Sequence, residues 1–163
     1  MIKELEEIVP EEGSSIRILV NPNLSDFYYW HFHPEIELVY IEKVNGIRQV
    51  GSHISAFNNG DMALIGSNIP HLNFDYGVRG SYSKTVVQFL PRVMSSTISD
   101  IVEFTRTNEL LKLAEYGLSF GEVTKRIVGE RLKVLHKKEG IGRLLELISL
   151  LDELASLNDY TLL

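Results

Sequence analysis

Every proline in this 163-residue chain, at positions 10, 22, 34, 70 and 91, lies in its first 91 residues, and the remainder has none. Proline removes a backbone donor and breaks helices and central strands alike. The first part must therefore be built from short pieces, whereas the second is free to form uninterrupted helices.

Seven runs in the first part read as strands: 15–20 (SIRILV), 27–32, 36–41 (IELVYI), 47–50, 62–65, 72–76 and 82–90 (YSKTVVQFL). Strands this short, separated by Gly, Asn and Pro, predict an antiparallel sandwich or barrel. Asn45-Gly46 has the composition of a tight hairpin turn, because both residues tolerate positive φ. Asn59-Gly60-Asp61 is a second turn signal.

The second part reads as helices at 96–104, 107–115, 122–138 and 143–157, the first with N-cap candidates at Ser96, Thr97, Ser99 and Asp100. Gly129 is a soft spot within the third, costing about 1 kcal/mol relative to Ala. The last helix carries one apolar stripe at Ile141, Leu144, Leu145, Ile148, Leu151 and Ala155, and a second at Leu147, Leu150, Leu154 and Leu157. A helix apolar over more than half its circumference needs cover on two sides. Its own domain supplies one. A second copy of the chain is expected to supply the other, through Leu147, Leu150, Leu154 and Leu157, making a homodimer. A central helix within a single chain would show the same pattern. The expected organisation is residues 1–91 as a barrel with an N-terminal arm, and 92–163 as a helical dimerisation and linker segment packed on it.

The chain has no cysteine, which excludes disulfides and thiolate metal sites. Its start, MIKELEEIVPEEG, lacks the order of a signal peptide. No run approaches the ~18 apolar residues that span a bilayer. The expectation is a soluble cytoplasmic protein with no membrane partner. A net charge of −6 argues against nucleic-acid binding by these residues themselves.

The chemistry-bearing residues sit in Trp30-His31-Phe32-His33-Pro34-Glu35-Ile36-Glu37 and in Ile69-Pro70-His71. If 30–41 is extended, His31, His33, Glu35 and Glu37 share one face. Pro34 places this stretch at an edge or a bulge, where a side chain beside the kink, such as Glu35, is easily turned outward. His71 can add a third imidazole from another strand. Three His and one carboxylate suit Zn, Ni, Fe or Mn. His53 and His136 fall in no motif and read as surface residues. Tyr28, Tyr29, Trp30, Phe32, Phe74 and Tyr76 read mostly as barrel filling.

His31-x-His33-x3-Glu37, followed by Gly60-x10-His71, resembles the two cupin motifs. Ser25 stands where the first motif opens with Gly, and its closing Gly comes two residues late, at Gly46. In the second motif Gly66, Asn68 and Asp75 replace Pro, Gly and Asn. The Asn68 exchange is mild, since Asn accepts the left-handed conformation. The segment 31–71 as a whole, with the Leu-rich segments 110–120 and 142–154, resembles the N-terminal part of AraC-family regulators, over roughly residues 15–157. The resemblance implies an α+β fold: a cupin-like antiparallel β-barrel (double-stranded β-helix) followed by C-terminal helices.

The resemblance also implies a sensor and not an enzyme. A small-molecule effector would bind in the barrel at His31, His33, Glu35, Glu37, His71 and Trp30, and change how a dimer presents DNA-binding regions. Those regions, two helix-turn-helix units, would lie beyond Leu163, so DNA would be met only through a domain missing from this sequence. No cofactor is required in this reading. A divalent metal at His31, His33, Glu37 and His71 is the other reading of the same cluster. The charged segment 2–13, broken at Pro10 and Gly13, is a candidate mobile element, with plain disorder as the alternative. A metal-dependent cupin enzyme (an isomerase, epimerase or dioxygenase of small molecules) is the alternative function.

Overall fold

A computed structural model describes residues 3–26, 29–94 and 100–163. The strands of the first part are β1 (Glu4–Leu5), β2 (Ile16–Val20), β3 (His31–Phe32), β4 (Ile36–Glu42), β5 (Gly46–Val50), β6 (His53–Phe57), β7 (Gly60–Ile65) and β8 (Ser83–Phe89). Then come α1 (Thr105–Leu113), β9 (Leu118–Phe120), α2 (Glu122–Lys133), α3 (Gly140–Leu157) and β10 (Tyr160–Leu162).

Six strands form one antiparallel sheet in the order β10-β9-β7-β4-β8-β2. The facing layer is made of β1 with β3 and β5 with β6, joined by single bridges from His71 to His31 and to Val50. The class is α+β, as expected, but the ladders among the described residues do not close into the expected barrel.

Side-chain alternation along the central strands divides the core. Leu38 and Tyr40 of β4, Met62 and Leu64 of β7, and Val87 and Phe89 of β8 pack beneath the helices. Their neighbours Val39, Ile41, Ala63, Ile65 and Val86 face the second layer, with Phe57 and Phe74. Because both faces are covered, β4 and β7 are buried nearly throughout. That is why they read as continuous apolar runs and not as alternating ones.

Several expectations are corrected. Residues 72–76 are no strand but consecutive turns, closed by Tyr76 N–H to Asn73 O and Val78 N–H to Asp75 O. Asn45-Gly46 is no hairpin: the left-handed residue there is Lys43, and β4 pairs with β7 and β8 instead of β5. Gly46 lies within β5, directly opposite Phe57, whose ring fills the place of a Cβ. The positive-φ Asn-Gly pair is Asn59-Gly60, at 56° and 113°, and it carries the chain from one layer to the other. Among the described residues 29–32 only His31–Phe32 is a strand; Phe27 and Tyr28 lie outside the described residues. Cap candidates Ser96, Thr97 and Ser99 also lie outside them, and Val102–Phe104 is a single 3-10 turn. The helix expected over 122–138 stops at Lys133.

α3 reaches further than expected, from Gly140, and its inner stripe is the floor of the chain's own core. Leu147, Leu150 and Leu154 are fully buried there and Leu157 packs at the edge, so the first three have no surface to offer a second copy. The large apolar side chains that α3 leaves exposed are Ile141 and Leu145.

Candidate functional site

β3, the start of β4 and the bridge at residue 71 meet at one end of the interlayer space. His31 lies on β3, His33 just beyond it, Glu37 on the inward face of β4, and His71 bridges β3 and β5. All four are buried, and one potential ligand atom from each lies within 4.8 Å of the others. The His31 and His71 rings are 4.3 Å apart between centroids, and the His33 and His71 rings 5.2 Å, edge to face.

Each imidazole is oriented by a backbone carbonyl. His31 Nδ1 is 2.8 Å from Tyr29 O, His33 Nδ1 is 3.1 Å from Glu35 O, and His71 Nδ1 is 2.8 Å from Ile69 O. A carbonyl only accepts, so in all three the Nδ1–H donates and Nε2 turns to the cluster. This is the outer-shell support that metal-ligating histidines use. His33 Nε2 lies 3.3 Å from Glu37 Oε2, and His71 Nε2 lies 3.7 Å from the same oxygen with no hydrogen-bond partner. Gln88, opposite Glu37 in the ladder, donates Nε2–H to that oxygen at 2.8 Å.

Burial and the neighbouring His71 push His31 down to about 4, so it is neutral near pH 7. Burial opposes charge on His33 too, but the bond to Glu37 and that residue's charge outweigh it and raise its pKa. Burial works against ionised Glu37 as well, yet His71 and His33 hold it well below the usual carboxylate range. An anionic carboxylate among imidazole lone pairs, one of them an orphan, is a donor set that fits a divalent first-row cation.

Of the six residues expected at the site, four converge and two do not. Glu35 is buried, but the chain bends between β3 and β4 and breaks the alternation that put it on the common face. Its carboxylate lies 3.7 Å from His33 Nδ1, behind the ring, and Oε2 has no hydrogen-bond partner. Trp30 is buried, with its carbonyl bonded to Glu4 N–H, outside the converging group. Gln88 was missed. Its signal was a lone amide in the apolar run 82–90. Phe74 fills the core as expected, whereas Tyr76 is exposed.

The second motif's departures are accommodated. Asn68 takes the left-handed conformation, φ 61°, that its Gly position calls for. Gly66 packs against the end of α1's turn, its N–H bonded to Ala114 O. Asp75 takes up a different partner, buried Lys84, at 2.5 Å. A separate cleft of about 630 Å³, on the helix side of the sheet, is lined by Ile36, Ser67, Met94, Leu111 and Lys112 among others, and by none of the candidate residues.

No family model matches the chain, and no curated protein does. Among solved structures, apo ToxT from Vibrio cholerae, an AraC-family regulator, superposes with a TM-score of 0.56 at 10% identity. The fold is shared with that regulator. The match covers 89% of this chain and 56% of that one, so the chain spans little more than half the length of ToxT. A cupin 2 conserved barrel domain protein from Rhodopseudomonas palustris aligns at 18% identity over 50% of this chain and 57% of its own, with a TM-score of 0.35. Among the described residues no helix is long and apolar enough to cross a membrane.

Proposed function

We propose that this chain is the ligand-sensing domain of an AraC-type transcription regulator, and that its effector at the buried cluster is a divalent transition-metal ion. The observation that carries this is the convergence of three carbonyl-oriented imidazoles on one carboxylate, with His71 Nε2 left without a partner. The fold shared with ToxT supports the regulatory half of the reading. His31, His33, Glu37 and His71 would hold the ion, and Gln88 would orient the Glu37 carboxylate. The bound ion supplies positive charge to a site otherwise made of acceptors.

The sensing step belongs to this chain's own residues. β3, β4, β5 and the residue-71 bridge each contribute or adjoin a ligand, so an ion here fastens the two layers together at one end. A change in that fastening is a differential between two arrangements, which any ligand-driven switch requires. DNA contact would fall to a region that this sequence does not include.

The metal-dependent enzyme is the second reading of the same donors. Burial of all four favours holding an ion over turnover, because a catalytic site keeps an open position for substrate. Elemental analysis of tag-free protein tests the proposal. Near-stoichiometric metal is expected, falling in both His31→Ala and His71→Ala. A reporter gene that answers metal through the wild type but not through His71→Ala would support the regulator. Small-molecule turnover by the metal-loaded protein would favour the enzyme.

A further inference from the structure

A fifth potential donor reaches the cluster from the N-terminal arm. Glu6 Oε2 lies 3.3 Å from His31 Nε2. The backbone sets this position: Glu4 N–H donates to Trp30 O and Glu6 N–H to Phe32 O, both at 3.0 Å, so β1 runs parallel to β3. The other carboxylate oxygen, Oε1, takes Arg17 Nη1 at 3.4 Å, which leaves Oε2 to face the imidazole. Residues 3–26 include no other acid with a contact to the cluster among the described pairs.

The contact joins two acceptors. His31 Nδ1–H is committed to Tyr29 O, so the atom that meets Glu6 is the Nε2 lone pair. A carboxylate oxygen and an imidazole lone pair repel at this distance unless a proton or a metal cation lies between them. Two ligand atoms each about 2.0–2.2 Å from one ion lie roughly 3 Å apart at ordinary bond angles. The Glu6–His31 separation fits that spacing, as does the 3.3 Å between Glu37 Oε2 and His33 Nε2.

We propose that Glu6 is a further ligand of the cation held by His31, His33, Glu37 and His71, supplied by the arm. The inference rests on the metal reading of the cluster. It assigns the arm a chemical role: metal binding pins residues 4–6 along β3, and metal loss leaves Glu6 facing a lone pair. The chain's ligand set then becomes three imidazoles and two carboxylates, which suits a five- or six-coordinate ion better than a tetrahedral one.

The test is titration of the whole chain with Zn²⁺ and Co²⁺ in four forms: wild type, Glu6→Ala, Glu7→Ala and His71→Ala. Wild type and Glu7→Ala, which removes an exposed acid of the same arm, are expected to bind one equivalent with equal affinity. Glu6→Ala should bind about 10–100-fold more weakly, with a changed Co²⁺ visible spectrum. His71→Ala should lose binding. A Glu-specific protease gives an independent readout: metal should slow cleavage in the arm of the wild type but not of Glu6→Ala. Equal affinity and an unchanged spectrum in Glu6→Ala would overturn the ligand role while leaving the four-residue site standing. Equal weakening in Glu6→Ala and Glu7→Ala would also overturn it, by showing that only the arm's negative charge matters. A folded wild type that takes up no metal would remove the metal reading and this inference together.

Discussion

Gln88 stands directly opposite Glu37 across the β4–β8 ladder, and its side-chain amide donates to Glu37 Oε2 at 2.8 Å. A buried carboxylate that loses a donor keeps its desolvation cost. Gln88→Leu is therefore expected to destabilise the metal-free protein by about 1–3 kcal/mol. It should also weaken metal binding by roughly tenfold or more, as loss of an outer-shell partner does. Denaturant melts with and without Zn²⁺ read both effects. An unchanged affinity would show that Glu37 needs no orienting partner.

Two of the imidazoles should titrate on opposite sides of the ordinary histidine value. His31, pushed down to about 4, stays neutral through mildly acidic pH, while His33, raised by Glu37, takes its proton early. In the metal-free protein the charged His33–Glu37 pair stabilises fully below His33's unfolded pKa, and that contribution is lost as pH rises through its raised folded pKa. Glu37's folded pKa is depressed, so its contribution is present above its unfolded pKa and is lost on acidification. Metal needs neutral imidazoles, so the stabilisation it adds should grow as pH rises through the titration of His33. NMR titration of the ring protons checks this. Coincident titration of His31 and His33 near the ordinary value would refute it.

Asp75 and Lys84 form a fully buried ion pair at 2.5 Å, and Asp75 also accepts from Tyr82 O–H at 2.7 Å and Leu24 N–H at 2.9 Å. Lys84→Met leaves an uncompensated buried charge and should cost about 3–5 kcal/mol. Adding Asp75→Leu should recover part of that loss, since two apolar groups carry no desolvation penalty. Equilibrium unfolding of the double-mutant cycle gives the coupling. Additive effects would mean that the two groups act independently.

Gly129 sits where α2 crosses Tyr40, and a Cβ there would come within 2.6 Å of Tyr40 Cε1. Gly129→Ala should therefore destabilise by about 1–3 kcal/mol through overpacking, despite the roughly 1 kcal/mol that helix propensity favours. In a Tyr40→Ala background the same change should become stabilising. Thermal melts decide it, and a gain in the wild-type background would mean that the helix shifts freely over the sheet.

Leu150 and Leu145 lie on the same helix with opposite roles. Leu150→Ala removes a fully buried side chain and should cost about 2–5 kcal/mol. Leu145→Ala changes an exposed one and should fall within about 0.5 kcal/mol of neutral. A large loss at Leu145, measured across protein concentrations, would mean that the outer face of α3 is covered by another molecule.

The pattern of α3 explains one error of sequence reading. Two apolar stripes announce a helix covered on more than one side, but they do not name the cover. Here sheet, α1 and α2 are laid against the helix by chain segments distant in sequence, and the stripe assigned to a second copy is consumed within the first. Asn45-Gly46 misled for a related reason. A turn signal is local, whereas Gly46 is glycine because of Phe57, its cross-strand neighbour. β6, β9 and β10 carried too little local pattern to read, being held by ladder partners elsewhere in the chain.

The resemblance of Gly60-x10-His71 named His71; proline placement, periodicity and His-x-His-x3-Glu were enough to define an α+β chain of short strands followed by helices, and to name His31, His33 and Glu37. These properties depend on neighbours within a few residues, where covalent geometry decides which side chains share a face. The rest depended on distant contacts. The bend after β3 turned Glu35 away from the face it shares on paper, the β4–β8 register brought Gln88 onto Glu37, and the pairing of β1 with β3 carried Glu6 to His31. Only tertiary structure could decide these, because each is a meeting of segments whose separation along the chain leaves no periodic trace.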